Sequence, residues 1–323
     1  MTTCILSGGR DALGVRVAAL LDADATFDRI IELSEDGLGS VDLKARIEGA
    51  TTLVHLAGGV DETRAVLDAA GAVGITHAVV LSSATVYGAW SSNPVPLTED
   101  AMLRPNPELE FATRAAERER LAVEWRADHP GSTVALLRPA VPVAEGATGW
   151  LADGLRAAAL VRSAGDDPPA QYVHLDDLAS AIALASVSRI DGARNVAPDG
   201  WMSGEQLRAL AGVPRVRLPA RVATTAARWR WRLTRASAHP GLLPYTQHPW
   251  VVANDRLRAD GWAAAWTSEE AYVDGHPAAP WSSISPQRRQ ELALGGLVAS
   301  IVAAAVGAGF LVRRMRRRRR SRS

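Results

Sequence analysis

Leu81-Ser82-Ser83-Ala84-Thr85-Val86-Tyr87-Gly88 is the stretch that decides the fold of this chain. It continues the apolar run Ala78–Leu81, then breaks into two serines and closes on a glycine. An apolar run of strand length that ends this way reads as a buried strand delivering a loop at its carboxyl end. Working outward, Cys4–Leu6, Arg29–Leu33, Thr52–Leu56 and Thr133–Leu137 are equally short and rich in Val, Ile and Leu. Such continuous runs suit parallel strands covered on both faces. Helical periodicity fills the intervals near Leu13–Leu21, Thr63–Ala70 and Glu108–Arg126. The alternation predicts an α/β fold, a Rossmann-like doubly wound parallel sheet. Ligands of such sheets bind at the carboxyl ends of the strands, so Ser7–Gly14 and Ser82–Gly88 are expected to face one crevice. A later strand, Gln171–Val173, precedes a helix over Asp176–Ala185, for which Asp176 is the expected N-cap. Beyond Gly200 the pattern turns irregular and rich in Trp, Pro and Arg. A smaller C-terminal substrate lobe is expected there, built mainly from 140–170 and 200–280.

The loop Ser7-Gly8-Gly9-Arg10-Asp11-Ala12-Leu13-Gly14 follows the first strand and opens a helix. A Gly-x-x-Gly-x-x-Gly loop in that place lets backbone N–H groups and a helix N-terminus hold a dinucleotide pyrophosphate, which makes NAD or NADP the implied cofactor. Gly8 and Gly14 fill the outer positions, with Gly9 and Arg10 between them. Asp11 stands in the middle position, where it adds a Cβ and a negative charge close to the phosphate; Arg10 offsets part of that charge. Ser34 stands at the end of the second strand, where an acid normally holds the adenosine ribose, and Glu35 and Asp36 follow it. The plain alternative is a tight strand–helix turn that binds nothing.

With this loop, the strand end His55-Leu56-Ala57 and the Ser-Ser-Ala-Thr-Val-Tyr-Gly motif in hand, the chain resembles the extended short-chain dehydrogenases/reductases of the NAD-dependent epimerase/dehydratase family. Leu137-Arg138-Pro139, Val173-His174-Leu175-Asp176-Asp177-Leu178-Ala179 and Asn195-Val196 resemble later family motifs in the right order. The likeness runs from about residue 3 to about residue 280. His248-Pro249-Trp250-Val251-Val252-Ala253-Asn254 resembles a segment of actinobacterial, galE-like, membrane-anchored members. The resemblance places the cofactor against Gly8, Gly9, Arg10, Gly14, Ser34 and Ala57, and makes Ser83 the catalytic hydroxyl. It then calls for Tyr-x-x-x-Lys on the next helix, the tyrosine as acid–base and the lysine lowering its pKa and touching the nicotinamide ribose. Registering that helix on Glu119 puts Phe111 and Ala115 at those two places. Lys44 is the chain's only lysine, and none of Tyr87, Tyr172, Tyr245 and Tyr272 has a lysine four positions on. Losing a placed acid–base alone costs on the order of 10²–10⁴-fold in rate.

The expected function is therefore binding of a nucleotide or sugar nucleotide in a regulatory or scaffold role, without the family's standard catalysis. One alternative is an active epimerase or oxidoreductase that uses Ser83 with Tyr87, a side chain expected in the crevice, or with a substrate group. Another is a nucleic-acid-binding relative. His55, His174 and Asp176–Asp177 are expected to be structural. The family's habit of pairing through helices beside the catalytic one implies a homodimer.

Composition sets the remaining bounds. At 323 residues, 47% hydrophobic and 22% charged, the chain is an ordinary globular one with room for a large core. The single cysteine, Cys4, falls in a strand expected to be buried, which fits a reducing compartment. The N-terminus does not read as a secretory leader. A net charge of +1 hides eight arginines within Arg313–Ser323. Just before them, Leu292–Val312 gives 21 uncharged, mostly apolar residues, enough for a transmembrane helix. The expected organisation is a domain over 1–286 closed by linker-like Ser282–Pro286, a connection over 287–291, the span and the arginine tail. The tail suits anionic lipid better than nucleic acid because the span adjoins it. The basic, aromatic stretch Ala220–Arg235 reads equally as a membrane-surface helix or a helix of the lobe. The expected location is the cell membrane, with the main domain in the cytoplasm.

Overall fold

The computed structural model describes residues 2–33, 43–159, 161–162, 167–211, 216–217 and 239–276. Five strands appear where the apolar runs predict them: β1 (Thr3–Ser7), β2 (Arg29–Leu33), β3 (Thr52–His55), β4 (His77–Leu81) and β5 (Thr133–Pro139). Three short strands follow, β6 (Val141–Val143), β7 (Val161–Arg162) and β8 (Tyr172–His174), before β9 (Gly192–Val196). The main sheet is parallel throughout, in the order β2-β1-β3-β4-β5-β9. Its winding reverses between β1 and β3, which opens a crevice at their carboxyl ends. Two-stranded parallel pairs join β6 to β8, and β7 to β10 (Val216–Arg217).

Helices α1 (Ala12–Ala23), α2 (Leu43–Ile47), α3 (Val60–Val73), α4 (Glu110–Asp128), α5 (Trp150–Ala158), α6 (Leu175–Val187) and α7 (Gly204–Ala211) connect these strands. Residues i and i+2 of a strand share a face. Ile5, Leu53, Ala78 and Val80 accordingly meet Ile47, Val66, Ala70, Leu121 and Trp125 from α2, α3 and α4 in one core. Each large aliphatic side chain buried there contributes roughly 1.5–3 kcal/mol. The opposite face is covered by α1 and α6, which pack on each other. Cys4 is fully buried, and its burial pushes the thiol pKa up to about 12, so it is inert.

One expected cap is corrected. Asp176 does not cap α6: His174 does, with extended backbone and Nδ1 accepting from the Asp176 N–H at 3.2 Å. Asp176 lies in the first turn and pairs with Arg16 of α1 at 2.5 Å. β9 is an addition, since its Gly-Ala-Arg-Asn start carries no apolar run.

Among the described residues, those up to Leu210 and those from Val216 to His276 fall in one compact unit. Among the described residues no helix is long and apolar enough to cross a membrane. Leu292–Val312, the arginine tail, the stretch Ala220–Arg235 and Ser34 lie outside the described residues.

Candidate functional site

The glycine loop takes the form its sequence predicts at two positions. Gly8 has φ +80°, and a Cβ there would lie 2.7 Å from the Ala57 nitrogen. A Cβ on Gly14 would lie 2.2 Å from the Gly9 Cα. The loop therefore needs both glycines to close against itself and against the end of β3. Gly9 sits over Leu6, and Arg10 is exposed. Asp11 has taken a specific job: it is the N-cap of α1, and its Oδ1 accepts from the Gly14 N–H at 2.8 Å. By shape the loop fits a dinucleotide. By charge it fits poorly, because a carboxylate already occupies the donor end of the helix, where an anion would bind.

Past Ala57 the crevice opens into a cleft of about 560 Å³, lined by the β3 end, the first half of α4 and Trp150. Phe111 and Ala115 line it one turn apart, as the register on Glu119 requires. The Phe111 ring meets Trp150 edge-on, centroids 4.9 Å apart. Glu110 and Arg114 pair with each other on the same helix. Neither side chain offers a hydroxyl or amine at the two positions the resemblance assigns to the acid–base pair.

The other family motifs converge on a buried network beside the cleft. Arg138 at the end of β5 grips Glu119 of α4 through Nε and Nη2, at 3.0 and 2.6 Å. Its Nη1 donates to the Tyr87 hydroxyl at 2.8 Å, and that hydroxyl donates to Asn195 Oδ1 of β9 at 2.7 Å. The Ser82 hydroxyl donates to Glu119, and the Asn195 N–H donates to the Glu99 carboxylate at 2.9 Å. These side chains come from the segment after β4, from α4, β5 and β9, so the network fastens the carboxyl edge of the sheet.

Tyr87 is thereby corrected: it does not line the cleft. Its ring is 1% exposed, and burial, partly opposed by Arg138, pushes the phenol up to about 12. Ser83 is buried and caps the short 3-10 turn Ala84–Tyr87, its Oγ accepting from the Thr85 N–H and hydroxyl.

The expected structural role of the histidines fits their bonds. His55 is held between Ser7 Oγ at 2.6 Å and Thr63 Oγ1 at 2.9 Å. His174 stacks on Trp266 and contacts Asp274, and the Asp177 carboxylate accepts from the Ala265 and Trp266 N–H groups. Sequence reasoning missed Arg118 and Trp150 in the cleft wall. The helical period that finds Ala115 also reaches Arg118.

Residues 43–196 match the model of the NAD dependent epimerase/dehydratase family. The uncharacterized protein y4nG of Sinorhizobium fredii is 27% identical over 218 residues, a match covering 57% of this chain and 53% of that protein. The chain thus spans about half the length of this curated relative. Among solved structures, a short-chain dehydrogenase/reductase superfamily protein from Agrobacterium tumefaciens with bound NAD superposes with TM-score 0.62 at 20% identity, over 91% of this chain and 99% of the other. A dTDP-glucose 4,6-dehydratase from Bacillus anthracis, in complex with NAD, gives 0.62 at 13%, over 85% and 95%. MoeE5 in complex with UDP-glucuronic acid and NAD gives 0.61 at 16%, over 84% and 97%. Identities this low establish the shared fold alone. With the glycine loop and the Ser82–Gly88 turn in their places, residues 43–196 of this chain are similar to the NAD dependent epimerase/dehydratase family, on a Rossmann-like parallel sheet.

Proposed function

We propose that the protein binds a nucleotide, NAD(P) or a sugar nucleotide, across the β1–β3 crevice and does not run proton-coupled hydride chemistry on it. One observation carries this reading. The motif residues that remain, Ser82, Tyr87, Glu119, Arg138 and Asn195, build a structural network, whereas the acid–base positions in the cleft hold Phe111 and Ala115. The Ser83–Tyr87 form of the active-enzyme alternative loses its substitute base, because the Tyr87 hydroxyl is committed to Asn195 and Arg138. NAD-bound and UDP-sugar-bound structures of the same fold support the ligand class. NAD, when bound, supplies a hydride acceptor; the residues of this chain bind and orient it but offer no proton relay at 111 or 115. The role is that of a binding or regulatory subunit. In this reading Leu292–Val312 anchors it in the cell membrane, the arginine tail lies on anionic lipid, the main domain faces the cytoplasm, and the chain pairs with a second copy.

Calorimetric titration of the full-length chain in detergent tests the binding half. Wild-type protein is expected to bind NAD(H), NADP(H) or a UDP-sugar. Asp11→Gly removes the carboxylate from the phosphate position and is expected to raise that affinity about tenfold, or 1.4 kcal/mol. The same change lowers stability by only a few tenths of a kcal/mol, as for other N-cap replacements by glycine. A wild-type chain that binds none of these nucleotides sinks the proposal.

A further inference from the structure

The cleft contains a cation that neither the motif nor the network accounts for. Arg118 lies on α4 one turn beyond Ala115 and two turns beyond Phe111, on the same helix face, and it lines the cleft with them. It is 8% exposed, and its Nη1 makes one long hydrogen bond, 3.4 Å, to the Gly58 carbonyl. Among the described residues no carboxylate forms an ion pair with it. Glu119, next in sequence, is held by Arg138 and Ser82. The remaining charges of the wall, Glu110 and Arg114, are paired with each other. Burial depresses the Arg118 pKa, with the Glu119 charge opposing. A guanidinium offers five N–H donors, and buried cations are ordinarily paired. One long backbone contact leaves most of that capacity unused.

The glycine loop shows what is missing on the other side. A nucleotide diphosphate lying over Gly8–Gly14 would meet the Asp11 carboxylate where it ordinarily meets a helix N-terminus. Ala57 abuts Gly8 and also lines the cleft, so a ligand over the loop runs past Ala57 directly towards Arg118. The planar fork of arginine matches phosphate oxygens in a bidentate manner.

We propose that Arg118 is the phosphate-binding cation of this site, taking the diphosphate of a nucleotide that spans the glycine loop and the cleft. The inference rests on the nucleotide-binding reading and adds to it the residue that replaces the charge lost at Ala115 and offsets the one gained at Asp11. The diphosphate belongs either to the dinucleotide or to a sugar nucleotide, and separate titrations distinguish them.

The test is calorimetry on the full-length chain with NAD, NADH and UDP-glucose, in wild type, Arg118→Met and the double variant Ala115→Lys with Arg118→Met. Loss of a charge-assisted hydrogen bond weakens binding by roughly 10- to 150-fold in Arg118→Met. Returning a cation at 115 is expected to recover part of that loss. Sensitivity confined to NAD(H) assigns the diphosphate to the cofactor; sensitivity confined to UDP-glucose assigns it to the sugar nucleotide. Arg118→Met binding within about twofold of wild type overturns the role of Arg118 and leaves nucleotide binding intact. Loss in Arg118→Met with no recovery in the double variant indicates packing and also overturns it. A wild-type chain that binds none of the three overturns both readings together. Should the variants fail to fold, a crystal structure of the wild-type complex decides: a guanidinium within hydrogen-bond distance of a phosphate oxygen supports the proposal, and one bonded to protein alone refutes it.

Discussion

Arg138→Met is expected to destabilise the fold by about 3–5 kcal/mol, the loss measured when one partner of a buried ion pair is removed. Glu119 is 2% exposed and would keep its charge with the Ser82 hydroxyl as its remaining side-chain partner. The Tyr87 hydroxyl would lose its donor at the same time. Because the damage comes from a stranded carboxylate, removing both charges with Arg138→Met and Glu119→Leu should cost less than Arg138→Met alone. Urea unfolding of the two variants, read as midpoint shifts at unchanged slope, measures this. A loss below about 1 kcal/mol for Arg138→Met, in the range of exposed pairs, would show that the network does not fasten the sheet edge. A double variant less stable than Arg138→Met would contradict the charge-stranding explanation.

Stability is expected to fall steeply in mild acid, through two buried histidines. Burial drives the His55 pKa down to about 3, with the Arg118 charge adding to it. Burial likewise takes His77 to about 4, partly opposed by its bond to the Ala185 carbonyl. Both values lie below the ordinary value of 6.5. Above pH 6.5 neither the folded nor the unfolded chain protonates these rings, and their contribution is complete. As the pH drops from 6.5 towards 4, the unfolded chain takes up protons that the folded chain refuses. Each ring then costs about 1.4 kcal/mol per pH unit. Two rings over two units amount to about 5 kcal/mol by pH 4.5. Denaturant midpoints at pH 7.5 and 4.5 measure the loss, and His55→Gln with His77→Gln should flatten it. An unchanged pH slope in that double variant would place the acid sensitivity elsewhere.

Much of the fold is legible because its signals are local. β1, β3, β4 and β5 are buried on both faces, so each carries an apolar run, β2 is a half-exposed edge strand legible from Ile30, Ile31 and Leu33, and Gly8 and Gly14 sit where no Cβ fits. β9 is not legible: Gly192-Ala193-Arg194-Asn195 has no strand pattern of its own and is recruited by pairing with β5. The α6 cap is misread because aspartate is the common N-cap, whereas β8 ends directly at His174 and leaves that residue in extended backbone. Tyr87 follows a strand end, which suggests the crevice. The 3-10 turn that Ser83 caps instead directs the ring into the core, and its partners, Arg138 and Asn195, lie far along the chain. Phe111 and Ala115 are found by helical period from Glu119. Arg118 falls on the same face, but an arginine in a helix full of arginines and glutamates reads as solvent-facing until the β3 end is folded over it.

The central claim is nucleotide binding without the family's chemistry. Its most direct test is a turnover assay of the full-length wild-type chain, saturated with NAD and supplied with UDP-glucose or UDP-glucuronic acid. NADH absorbance and the identity of the recovered sugar are followed together. The structure predicts unchanged sugar and no NADH, because Phe111 and Ala115 offer no proton relay and Tyr87 is committed to the core. Sustained formation of an epimerised, dehydrated or oxidised sugar would contradict it.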